Sequence, residues 1–241
     1  MSRIKWLTLL GALLFVVGQV IGLALSGTVV WAELEARFRS SYSGDQKMPL
    51  ECPLMLAPFE RATIEGLLIN HTMDEIKPVI RSELSRAGGA QEVSEAFPLT
   101  AREIRPMQWT VSSANIIFDR LILVNVLQSH YRDNPSRWGS CGIVAYSLWG
   151  LPGGMSFGLL FGLALLGLSL GGGLWVSSLR PLSKPLLNIA RAGAFLASMT
   201  VAALVTTLMR LWGLSLFFDA FSLLIIGTVF IDFILFPQHN K

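Results

Sequence analysis

The chain has 241 residues, 52% of them hydrophobic and 15% charged, with a mean hydropathy of +0.56. A soluble domain carries about 25% charged residues, so the composition excludes a wholly soluble protein. The formal net charge of +3 does not signal nucleic acid, because the basic excess sits at the edges of apolar runs, where it reports topology.

Trp6–Trp31, "WLTLLGALLFVVGQVIGLALSGTVVW", is the first such run. It is uncharged and spans about 38 Å as a helix at about 1.5 Å per residue, enough for a bilayer core. A secretory signal would have an apolar region of only about 7–15 residues ahead of a cleavage site. The run continues past "LALSG", so a retained anchor is expected over residues 1–31. Residues 32–51 are expected to be a spacer. Its first part can extend the helix, with Glu33 and Arg37 at the i, i+4 spacing of an ion pair, until "SSYSGDQ" breaks it.

From Ala32 to Gly150 acidic and basic residues nearly balance, and outside this block the only acidic residues are Asp219 and Asp232. Both cysteines, Cys52 and Cys141, lie in the block, one near each end. Disulfides persist on the oxidising side of a membrane. A Cys52–Cys141 bond would stabilise the block by about 4 kcal/mol in the loop-entropy view. Two buried free thiols are the alternative. A metal site is poorly supported, since two cysteines without a nearby histidine make half a site.

Between the cysteines the pattern is that of strands. "RATIEGLLI" alternates loosely, "IKPVIRSEL" puts Ile76, Pro78 and Ile80 on one face, and "MQWTV" offers Met107, Trp109 and Val111 at period two. "DRLILVNVLQ" reads as a strand buried on both faces, and "GIVAYSLW" as a last strand. "NHTMDE", "RAGGAQ", "SSAN" and "RDNPSRWG" read as turns. Short strands with such turns suggest an antiparallel β-sandwich over residues 52–150.

"LLINHTMDEIKPVIRSELS" and "FPLTAREIRPMQWTV" resemble the Ig-like sandwich domains, of the cell-adhesion-related type, attached to bacterial membrane proteins. The "CP" pair Cys52-Pro53 and the "SCG" of Ser140-Cys141-Gly142 are similar to those of a group of uncharacterised bacterial integral-membrane proteins with such a domain outside the cytoplasm. That resemblance implies an Ig-like fold and no activity.

Residues 151–241 read as a three-helix membrane region, with runs near Leu151–Ser178, Leu186–Met209 and Leu214–Phe236. The fold expected is thus four transmembrane helices with the sandwich inserted between the first and second. Arg3, Lys5, Arg180, Lys184, Arg191 and Lys241 then share one side, opposed in a short loop only by Arg210. Both termini are expected in the cytoplasm of a multi-pass plasma-membrane protein, and residues 32–150 outside it. Gly154, Gly158 and Gly162 repeat at i+4, a spacing that lets helix backbones approach, within this chain or against a second copy. Arg191 and Asp232 lie about 20 residues on either side of the Leu211–Trp212 turn, hence at equal depth in a helical hairpin, and are expected to pair. Asp219 is expected to meet Thr206, Thr207 or Arg210.

No catalytic signature such as GxSxG, HExxH or a Walker loop is present. Asp219 and Asp232 lie about 20 Å apart along one helix and cannot flank one peptide bond. His71, His130 and His239 have no carboxylate or cysteine at ligand spacing. No cofactor is expected. The expected function is non-enzymatic: the exported domain binds or scaffolds a protein partner, in a larger assembly or a homo-oligomer. The alternative is a transporter component or membrane-embedded enzyme using polar groups among the helices.

Overall fold

The computed structural model describes residues 3–178 and 184–235, with side chains described for 6–178 and 190–228. The chain begins with helix α1 (Arg3–Arg39) and ends with α2 (Gly153–Ser178), α3 (Lys184–Leu208) and α4 (Trp212–Leu235). Between α1 and α2 lie nine strands: β1 (Gln46–Lys47), β2 (Leu50–Glu51), β3 (Met55–Leu56), β4 (Ala62–Ile69), β5 (Val79–Arg86), β6 (Gly89–Ala96), β7 (Ile104–Val111), β8 (Leu121–Gln128) and β9 (Arg137–Ala145). Trp6–Arg39, Gly153–Ser178 and Ala190–Leu208 are long and apolar enough to cross a membrane, and Trp212–Thr228 is a shorter apolar stretch. The chain folds as two compact units: a β unit, Trp31–Phe157, and a helical unit of the residues before and after it.

The β unit holds two sheets, one in the order β1-β9-β8-β5-β6 with β3 also on β9, the other β2-β4-β7. The long strands pair antiparallel, while β1 and β3 run parallel to β9 at its two ends. Pro49 and Pro53 explain that fragmentation. Neither can donate to a ladder, so the chain leaves β9 after β1, pairs with β4 as β2, and returns as β3. Inward side chains of both sheets form one core, with Ile64, Leu68 and Val111 from one and Ile80, Ile122, Val124 and Ile143 from the other. Cys52 and Cys141 are joined inside it, their Cα atoms 6.6 Å apart.

Several elements differ from the sequence expectation. "RAGGAQ" is a turn only at its start. Gly88 and Gly89 take φ of 90° and 151°, and the chain then runs on as β6, an edge strand exposed along nearly its whole length. With no buried face, β6 has no apolar alternation to read. β5 begins only after Pro78, and Ile76 instead bridges to Leu99. Residues 32–51 are not a free spacer, because they carry the end of α1 together with β1 and β2. Ala32 and Ala36 there are fully buried.

In the helical unit α1 and α2 approach at glycines. A Cβ on Gly18 would lie 2.7 Å from the Leu168 backbone nitrogen, and one on Gly167 would lie 2.7 Å from the Gly18 Cα. Phe15 and Trp175 close the same seam with ring centroids 5.8 Å apart. Gly154, Gly158 and Gly162 do not take part; a Cβ on any of them meets no described atom within 4 Å. At about 100° per residue Gly167 lies roughly 180° around the α2 axis from Gly158, the centre of the other set, so the two cannot face the same neighbour. Asp232 lies outside the described side chains, and with it the expected pair with Arg191.

Gly167→Leu should therefore destabilise the fold by about 1–3 kcal/mol through overpacking. Gly158→Leu should leave the thermal midpoint of the monomer in detergent unchanged. Equal midpoints for the two variants would refute this assignment of the seam.

Candidate functional site

The alternation of a strand explains "SCG". Cys141 points into the core, so Ser140 and Gly142 point to the outer face of β9. That face is covered by the last turns of α1, Trp31–Arg39, whose Ala32 and Ala36 allow a close approach. A Cβ on Gly142 would overlap the Ala32 backbone. Glu33 is only 5% exposed there. β1 reaches β9 only as far as Trp138 and β3 begins only at Val144, which leaves a gap along this edge. The Gly142 N–H in that gap donates to Glu33 Oε2 at 3.1 Å. Glu33 Oε1 accepts from Ser140 Oγ and from Arg37 Nε, both at 3.4 Å.

The cross-strand register continues this polar row over the sheet: Ser140 opposes Asn125, Asn125 opposes Glu83, and Glu83 opposes Glu92. Two carboxylates directly opposite each other repel. Burial raises the Glu83 carboxyl above its ordinary range, and Glu92 raises it further. The Tyr42 hydroxyl donates to Glu92 at 3.3 Å. Its own pKa is pushed up to about 12, first by burial and then by the charges of Glu92 and Glu83.

Beside this row lies a cavity of about 570 Å³, lined by Glu83 and Asn125 together with Leu123, Ile116, Phe118 and Arg39. Arg39 is engaged already, paired with Glu35 and stacked 4.8 Å from the Phe118 ring centroid. Glu83 Oε2 and Asn125 Oδ1 are buried without a hydrogen-bond partner among the described residues. Composition could not reveal this site. Its residues come from α1, β5, β8 and the loop before β8, and only the register of the sheet puts Glu83 against Asn125.

Other sequence-level candidates resolve as structure. Asn70 of "NHT" is buried, and its amide donates to the carbonyls of Asp74 and Thr100 at 2.8 and 2.7 Å while its Oδ1 accepts from Thr72. It ties a turn together. His71 uses its backbone N–H on Asn134 Oδ1. Among the described residues no group of three or more His, Cys, Asp or Glu is placed to hold a metal.

In the helical unit, Asp219 does not meet Thr206 or Thr207. Ser26 of α1 donates to its two oxygens at 2.7 and 2.8 Å. The Thr207 hydroxyl is taken by Ala203 O and Ser215. Gln19 Nε2 donates to Thr200 Oγ1 at 2.5 Å, so α1 is hydrogen-bonded to both α3 and α4.

No protein-family model matches the chain, and no curated protein matches it.

Two variants test the outer face. Glu33→Ala strands the Gly142 N–H in a buried gap and should cost about 1–3 kcal/mol, read as a lower unfolding midpoint; an unchanged midpoint refutes the role of the carboxylate. Glu83 has a folded pKa above its unfolded one. Its contribution is therefore fully present below the unfolded value and is lost as pH rises through the folded value. Glu83→Gln should raise the midpoint at pH 7, and the gain should vanish below the ordinary carboxyl range, about pH 4. A gain independent of pH would show that ionisation is not the cause.

Proposed function

We propose that the chain is a four-span plasma-membrane protein whose β unit lies outside the cytoplasm and, without catalysing a reaction, binds or scaffolds a protein partner as part of a membrane assembly. The observation that carries this reading is the cavity on the outer face of the large sheet, with two buried acceptors left unmet. Native folds satisfy nearly all buried polar groups, and groups that cost stability are kept where function needs them. A rigid sheet tied by a disulfide in its core suits a recognition surface more than a reaction.

We read the β unit as an Ig-like sandwich. Support comes from the first strand divided between both sheets, from β4 pairing with β7, and from β5 and β8 meeting in the other sheet, an order made by Greek-key connections. The similarity of "CP" and "SCG" to bacterial membrane proteins with such a domain agrees with it. For the membrane part, α4 at 24 residues is long enough for a fourth span at about 1.5 Å per residue. The basic residues flanking the spans favour cytoplasmic termini.

A second reading, a transporter component or membrane-embedded enzyme, is favoured by one observation, the buried carboxylate of Asp219 held by Ser26. Intramembrane carboxylates are costly and often functional.

Affinity purification of the full chain in mild detergent separates the two. The first reading expects a stoichiometric protein that is lost in Asn125→Leu and retained in Asp219→Asn. A bound small molecule lost in Asp219→Asn, with no protein partner, would overturn the first reading in favour of the second.

A further inference from the structure

We infer that the outer-face cavity binds an organic cation, an ammonium or guanidinium group carried on an aliphatic stem, with Glu83 and Asn125 as its acceptors. This names the chemistry recognised by the site of the preceding section and rests on that reading.

The polar groups determine the ligand's sign. Asn125 is 3% exposed, and its Oδ1 has no hydrogen-bond partner among the described residues. Glu83 stands directly opposite it in the register, and its Oε2 also has none among those residues. Both unmet atoms are acceptors, so a ligand satisfies them only by bringing N–H or O–H donors. Both oxygens turn on terminal torsions that are broad and soft, so each can swing toward the cavity that its residue lines.

Charge decides between neutral and cationic donors. Glu83 and Glu92 oppose each other in the register, Arg81 stands two residues along β5 on the same face, and Glu92 is bonded by the neutral Tyr42 hydroxyl. Two cations do border the cavity, Arg39 and Arg86. Arg39 is committed to Glu35 and Phe118, and Arg86 shares the lining with Asp119, of opposite charge. A charged donor bonds a carboxylate roughly twice as strongly as a neutral one, and here it would also relieve the repulsion between the two glutamates.

The walls describe the rest of the ligand. Leu123, Ile116 and Phe118 are apolar, and they suit the methylene stem that a lysine, an arginine or a free alkylamine carries behind its charged head. About 570 Å³ falls within the usual range of small-ligand sites, roughly 300–1,000 Å³, and would hold such a stem with its head.

The experiment is a calorimetric titration of the full-length protein in detergent with n-butylammonium, n-butylguanidinium and, as a neutral control, n-butanol. Both cations should bind, and butanol at least about tenfold more weakly. Glu83→Gln should lower cation affinity about tenfold or more, the loss expected when a charge-assisted bond becomes neutral. Asn125→Asp, which adds a second acceptor charge, should raise it. A merely structural role for Asn125 would not produce that rise.

Nα-acetyl-lysine amide and putrescine distinguish the source. Binding of the blocked lysine at the strength of butylammonium assigns the site to a partner's side chain. Preference for putrescine with exclusion of the blocked lysine assigns it to a free amine. Equal binding of butanol and butylammonium, or unchanged affinity in Glu83→Gln, overturns the proposal. So does the absence of cation binding, as expected if Glu83 and Asn125 only satisfy each other. A protein partner retained by both wild type and Glu83→Gln would overturn the cation site while leaving partner binding itself in place.

Discussion

The β unit depends on one buried carboxylate. Pro49 and Pro53 interrupt the strand that would otherwise complete the edge of β9, and the interruption leaves the Gly142 N–H without a ladder partner. Glu33 fills that vacancy from outside the sheet. A helix residue thus completes a sheet edge. An unmet buried N–H would cost about 1–3 kcal/mol, and a buried carboxylate left alone would cost more; each removes the other's penalty. The small residues around them, Ala32, Ala36 and Gly142, bring the helix close enough for the bond to form.

Covering the outer face has a consequence for β8. Leu121, Leu123 and Asn125 face away from the core yet are buried. A two-sided burial normally calls for apolar residues on both faces, and Asn125 breaks that rule. Glu83 beside it does the same from β5. Their unmet oxygens and the repulsion from Glu92 are local losses, beside the Arg137 Nε that is also buried without a hydrogen-bond partner among the described residues. Departures of this kind concentrate where a protein meets something else, and those of Glu83 and Asn125 border one cavity with apolar walls.

The helical unit follows a different economy. In lipid the hydrophobic effect does not drive helices together, so close packing and interhelical hydrogen bonds must. α1 uses both. Gly18 lets it touch α2 backbone to backbone, while Gln19 and Ser26 reach Thr200 and Asp219 on the other two helices. Spaced seven residues apart, Gln19 and Ser26 recur on one face of α1. Gln19 Oε1 and Ser222 Oγ are buried without a hydrogen-bond partner among the described residues.

The membrane class, the helical runs, the inward strand residues at period two and the placement of both cysteines in one block were legible in the sequence, because hydrophobicity and its period are local properties. So was the extension of α1 beyond its apolar run, from the Glu33–Arg37 spacing and the stop at "SSYSGDQ". β6 was not, since an exposed edge strand has no buried face to impose alternation. The glycines that pack α2 could not be told from those that do not, because spacing shows that residues share a face and not which neighbour the face meets. Nor could the cavity be read. Glu83 and Asn125 are some forty residues apart and become neighbours only through the β5–β8 register, and Glu33 becomes a sheet ligand only because two prolines open a gap elsewhere. Periodicity belongs to each segment of the chain; pairing belongs to the folded whole, and this site is made by pairing.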